Sequence, residues 1–230
     1  MFDPDMCGMA KRSRITVLAR TPASVAEAIA IQQELRKRVV LEDDFGELRT
    51  IAGIDVGYDY RRKRSRAALV VLRDGELESS VVVYDDTPFP YVPGLLSFRE
   101  APVILKALAC LDTAPDLLFV DGHGVAHPRR IGIAAHIGVL TGLPTIGVAK
   151  KRLCGEHRAP GVRKGAATML KHLGERIGTV LRSKDNVKPL FVSPGHRVSQ
   201  ATAVKLVKRH LTRYRLPEPT RLADQLSKTK

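Results

Sequence analysis

The sequence predicts an α/β chain built on one mixed central sheet, an antiparallel meander joined to parallel strands, with helices flanking it. Three observations predict it. Residues 49–84 hold three runs rich in branched apolar residues, with a hairpin signal between the second and third. From residue 97 onward helical and strand patterns alternate, as in a parallel sheet. The 230 residues are 44% hydrophobic, enough to bury one large core.

Residues 1–12 lack periodicity and read as a flexible tail, leaving 13–230 as a single domain. Thr21 with Pro22 predicts a helix start. Val25, Ala28, Ile29, Leu35 and Val39 trace one face of that helix, with Gln32 as the polar exception. Arg49–Val56 and Ala67–Leu72 read as strands, and Arg73-Asp74-Gly75-Glu76 as the hairpin turn into Ser79–Tyr84. A proline-rich loop, Asp85–Pro93, leads to a helix from Ser97 to about Leu111, then a strand at Leu117–Val120. Ile131–Ala149 lacks Asp, Glu, Lys and Arg and so imitates a membrane span. His136, Pro144 and four glycines argue instead for a buried helix, a break at Gly142-Leu143-Pro144, and a strand. After Lys150 the chain reads as basic and loop-rich. Leu190–Val192 reads as a short strand or buried connector, and Ser193-Pro194-Gly195-His196 as a tight turn. Ser199 and Thr220 are expected to cap two closing helices. Three meander strands, a helix and two parallel strands is the order of the ribonuclease H-like fold, an analogy that by itself carries no function.

The net charge is +14, and its placement is informative. Residues 1–150 carry 19 Lys and Arg against 19 Asp and Glu; residues 151–230 carry 19 against 5. A basic last third suits a polyanion, nucleic acid first. Cys7, Cys110 and Cys154 form no CxxC pair, which argues against disulfides and a zinc site. With no apolar leader at the N-terminus, the expected location is the cytoplasm and no membrane partner is expected.

Three acidic positions and one lysine could carry chemistry. Asp55 stands in GIDVG, where a charge in an apolar strand is costly unless paired or liganded. Asp121 ends the strand LLFV and is followed by a loop of Gly, His and Arg that suits a metal ion and a phosphate; the alternative is a helix cap. Glu100 completes Ser97-Phe98-Arg99-Glu100, which by local pattern alone is a capping box. Lys150 ends TIGVA, either at the same sheet edge as Asp121 or as the start of a surface basic run. Converging carboxylates are what a hard divalent ion needs. Tyr91, held between Pro90 and Pro93, either meets an extruded base or packs back on its own domain.

Read together and in order, GIDVGYD, PYVPGLLSFRE, DGHGVAHPRR, GVAKKRL, FVSPGHRV and LPEPTRLAD resemble the endonuclease V family over roughly residues 20–228. The resemblance implies a ribonuclease H-like nuclease using Mg²⁺, or Mn²⁺ in its place. Its reaction is hydrolysis of the second phosphodiester bond 3′ of a deaminated base, leaving 3′-hydroxyl and 5′-phosphate ends. It implies metal binding by Asp55 and Asp121, catalysis by Glu100, also as a metal ligand, and by Lys150, and support from Asp224. It places a strand-separating wedge at Tyr91, with Pro90, Val92 and Pro93 around it and Val92 in place of the usual Ile. A hypoxanthine pocket falls on Gly94–Leu96, Gly122–Gly124 and His127, with Lys151 and His196 as further nucleic-acid contacts. The implied partner is deoxyinosine-containing DNA, met by a monomer. An inosine-specific endoribonuclease and a non-catalytic inosine-binding module are the alternatives.

Overall fold

A computed structural model describes residues 21–59, 61, 63–87 and 89–229; the expected tail at 1–12 lies outside them. Eight strands form one sheet in the order β3-β2-β1-β4-β5-β8-β7-β6. The meander is β1 (Thr50–Asp59), β2 (Arg64–Arg73) and β3 (Glu76–Asp86), with Asp74 and Gly75 both at positive φ in the hairpin turn. β4 (Leu117–Val120) runs parallel to β1 and to β5 (Thr145–Ala149). β6 (Ala167–His172), β7 (Glu175–Leu181) and β8 (Leu190–His196) then continue antiparallel.

Side-chain alternation builds two cores. Ala52 and Ile54 of β1, with Leu118 and Val120 of β4, pack against α2 (Leu96–Ala109) and α3 (Ile133–Thr141). Ile51, Leu117, Phe119 and Ile146 point the other way, onto α4 (Gln200–Arg209). α5 (Glu218–Lys228) lies over β1 and β2 through Leu222, Ala223 and Leu226. α1 (Val25–Arg36) packs outside α3 through Leu35.

Several local expectations change. α1 starts after Ser24, not Thr21: Ser24 Oγ accepts from the Glu27 amide and Glu27 Oε2 from the Ala23 amide, a two-way cap that Thr21 and Pro22 cannot make. It ends at Arg36, so Val39 lies beyond it. The last helix is entered at Pro217, and the Thr220 hydroxyl donates to the Pro217 carbonyl from inside the first turn. Ser193–His196 is extended strand rather than a tight turn. The hairpin β6–β7 stands within the segment expected to be loop-rich. Only Leu170 is buried on β6, an edge strand, so alternation there is nearly invisible. The charge-free stretch resolves into α3, the left-handed Gly142 and β5. No described helix is long and apolar enough to cross a membrane.

α5 sits close because Gly53 has no side chain. A Cβ there would lie 2.1 Å from the Pro219 carbonyl oxygen. Gly53→Ala is therefore expected to lower unfolding free energy in urea by roughly 1–3 kcal/mol. Gly46→Ala, which meets nothing within 4 Å, is expected to stay within about 0.5 kcal/mol of the parent.

Candidate active site

Parallel register delivers the first two carboxylates. Ile54 of β1 stands opposite Val120 of β4, so the next residues, Asp55 and Asp121, emerge at one sheet edge. The Asp121 amide donates to the Ile54 carbonyl at 3.0 Å and locks that level. Asp224 arrives from α5, and oxygens of Asp55, Asp121 and Asp224 lie within 4.8 Å of one another. Ser227, one turn further along α5, donates to Asp55 Oδ2 at 2.5 Å. Lys150 follows β5, the parallel neighbour of β4. Its ammonium pairs with Asp121 and donates to Asp224 Oδ1 at 2.5 Å, while Lys228 takes the other Asp224 oxygen.

Glu100 is not in a capping box. α2 begins one residue earlier than expected, and Ser97 lies inside it with its hydroxyl 2.9 Å from His136 Nδ1. Glu100 is thereby left facing the aspartates. Burial, then Asp55 and Asp121, push its pKa up to about 8. Burial and Asp55 push Asp121 up to about 7, against the pull of Lys150. Burial alone would lower the Lys150 pKa, but Asp121 foremost, with Asp224 and Asp55, raises it. Burial opposes ionisation of Asp224, yet Lys150 and Lys228 hold it below the usual carboxylate range. The donor set is all oxygen and its negative charge is only partly offset. Asp55, Asp121 and Asp224 therefore fit a hard divalent ion such as Mg²⁺. Glu100 stands beside that triad rather than among its three converging groups.

A cavity of about 290 Å³ is lined in part by Gly122 and Lys151, the residues that follow Asp121 and Lys150. Tyr91, Val92, Pro93, Gly94 and Leu96 form one wall, and Gln32, Gly122, His127 and Lys151 are among the residues that line the rest. Tyr91 is 66% exposed, so it is presented and not packed back. A wider groove of about 840 Å³ leads from Asp55, Lys150 and Asp224 over Arg61, Arg66 and Tyr84.

Other expected contacts are used differently. Gly124 is approached by the chain itself: its amide donates to Ser193 Oγ, and a Cβ would lie 2.0 Å from the Pro194 carbonyl oxygen. His196 pairs with Thr145, at the end of β5 away from Lys150, and its Nδ1 accepts from the Val40 amide. Arg129 and Arg130, expected near phosphate, are committed internally. Arg129 binds Gln32 and the Gly94 carbonyl; Arg130 binds Glu175 and the His172 carbonyl. Sequence reading missed Ser227, whose only signal was its spacing of three from Asp224 on a helix.

The raised carboxyl pKa values have a stability consequence. Between their ordinary values and about 7–8, Glu100 and Asp121 hold protons in the folded state that the unfolded chain has released. Stability in EDTA should therefore fall as pH rises from about 5 to 8. Melting curves across that range should show the fall, and Glu100→Gln should flatten it.

Comparison with known proteins identifies the family. The family model described as Endonuclease V matches residues 33–225. Endonuclease V of Azotobacter vinelandii is 57% identical over 209 residues, 90% of this chain and 93% of that protein. The crystal structure of Streptomyces avermitilis endonuclease V superposes with a TM-score of 0.85 at 44% identity, covering 92% of this chain and 94% of the other. Ciona intestinalis endonuclease V, solved in complex with a 24mer DNA containing an inosine followed by a ribo-adenosine, gives a TM-score of 0.77. It is 30% identical, covering 88% of this chain and 95% of that one. By that family match over most of the chain and by relatives of this identity and coverage, this chain belongs to the endonuclease V family of nucleases.

Proposed function

We propose that the chain is a metal-dependent repair endonuclease that cuts the second phosphodiester bond 3′ to a deoxyinosine, leaving 3′-hydroxyl and 5′-phosphate ends. One observation carries the reading: the Asp55, Asp121 and Asp224 cluster with Lys150 opens beside a cavity of about 290 Å³ that an exposed tyrosine borders. Such a cavity, at the lower end of small-ligand pockets, suits one flat base. Asp55, Asp121 and Asp224 would hold Mg²⁺, or Mn²⁺ in its place, which supplies an activated water at neutral pH and neutralises phosphate charge.

The chain's own groups do the rest. Lys150 keeps a positive charge where negative charge grows on the phosphate, already oriented by two carboxylates. Glu100, with a proton affinity near neutral pH, is suited to take up a proton at the reacting centre. Tyr91 fills the gap left in the stack when the base enters the cavity. Ser227 fixes the orientation of Asp55.

The test is cleavage of end-labelled duplex DNA, single-stranded DNA and RNA, each with one inosine, in Mg²⁺ and in EDTA. A nick one bond beyond the inosine's own 3′ phosphate, only with metal, is expected. Asp55→Ala and Asp121→Ala should slow it roughly a thousandfold or more while melting stays cooperative. Binding without cutting in every lane would make the chain a recognition module. Preference for RNA over DNA would make it an endoribonuclease.

The basic loops also enter. β7 ends at Leu181 beside Leu190, and Phe191 stands opposite Ala149, so loop 182–189 lies at the same sheet edge as Lys150. Lys184 and Lys188 are exposed there, and Arg215 ties the Lys188 and Lys150 carbonyls together. Replacing both lysines by alanine should lower the salt slope of binding by roughly one per lost phosphate contact.

A further inference from the structure

Gln32 interrupts the apolar face of α1 and is 0% exposed. A buried amide is costly unless its groups are paired. Its Nε2 donates to the Gly94 carbonyl at 3.1 Å and to the Ile131 carbonyl at 3.4 Å, and its Oε1 accepts from Arg129 Nε at 2.5 Å. The same Gly94 carbonyl takes Arg129 Nη2 at 2.7 Å and lies 3.0 Å from His127 Nε2. His127 Nδ1 accepts from the Arg129 amide, so the neutral ring carries its proton on Nε2 and donates to Gly94. Three side chains from two distant segments thus close on one backbone oxygen. That is more donors than a carbonyl with two lone pairs needs for satisfaction.

The oxygen they hold is well placed to matter. Gly94 lies three residues after Tyr91 and adopts φ +79°, a conformation that strains other residues. A Cβ at Gly94 would come within 3.0 Å of the Arg129 guanidinium, so the loop is seated tightly. Val92 packs in the same small cluster as Ala28 and Ile29 of α1. Helix α1 is not part of the sheet, and it contributes none of the converging carboxylates.

We infer that Gln32 and Arg129 are specificity-determining positioning residues. They clamp the Gly94 carbonyl and so hold the Tyr91 loop at a fixed place over the cavity. The inference rests on reading that cavity as the base site. A rigid loop matters most where a base must be withdrawn from a paired stack, and least where the strand is already single. The clamp is therefore a device for duplex substrates, separate from the cutting chemistry.

Gln32→Met keeps length and removes every hydrogen bond. On inosine-containing duplex DNA its KM should rise about tenfold, as expected for one lost buried interaction set. Its KM on the single-stranded form should rise far less. Arg129→Lys, which loses the Nε contact to Gln32, should shift the duplex-to-single-strand ratio in the same direction. It carries the test if Gln32→Met melts below the assay temperature. Equal losses on both substrates, or no change on either, would overturn the clamp while leaving the base-site reading intact. A wild-type chain that cuts neither form at inosine would overturn both.

Discussion

Everything at the site depends on like charges being held together at one edge of a sheet. Asp55 and Asp121 are neighbours because β1 and β4 run parallel with Ile54 against Val120. Glu100 is added from a helix on the face of Ala52 and Ile54, and Asp224 from a helix that closes over Gly53. Burial first, and then mutual repulsion, raises the proton affinities of Glu100 and Asp121. The two cores on either side of the sheet hold the repulsion in check. Lys150 relieves part of it from the next parallel strand. The remainder is what makes the cluster fit a divalent cation.

The same sheet edge sorts the rest of the surface. Loops that follow β4, β5 and β7 all emerge there, which is where open α/β sheets place their ligands. The basic excess of the last third reaches that edge through loop 182–189 and the turn after Lys150. Residues at the opposite end, His196 among them, have become fastening points: His196 anchors the segment at Val40.

Much of this was legible in the sequence, for physical reasons that differ from element to element. Buried parallel strands such as Leu117–Val120 are continuous apolar runs with sharp ends, so both their limits and the carboxylate after them could be read. The meander announced itself through Asp74-Gly75. β6 did not, since an edge strand with one buried side chain leaves no alternation to see. Glu100 was ambiguous because capping boxes are local patterns, whereas the partner that claims Ser97 is His136 on another helix. Gln32 and Arg129 were unreadable for the same reason: a buried glutamine has meaning only through the distant carbonyl it holds. Gly124 had the right residue for another cause, since strand β8 is what comes close.

The placement of Asp224 and Ser227 has a consequence for biosynthesis. Asp55 and Asp121 belong to strands made early, but the helix that supplies the third carboxylate and steadies the first follows every strand in the chain. A growing chain has all eight strands of the sheet before the helix that completes the carboxylate cluster. The centre closes only when α5 has emerged and settled against Gly53. The order of synthesis thus leaves the carboxylate cluster among the last parts of the molecule to be completed.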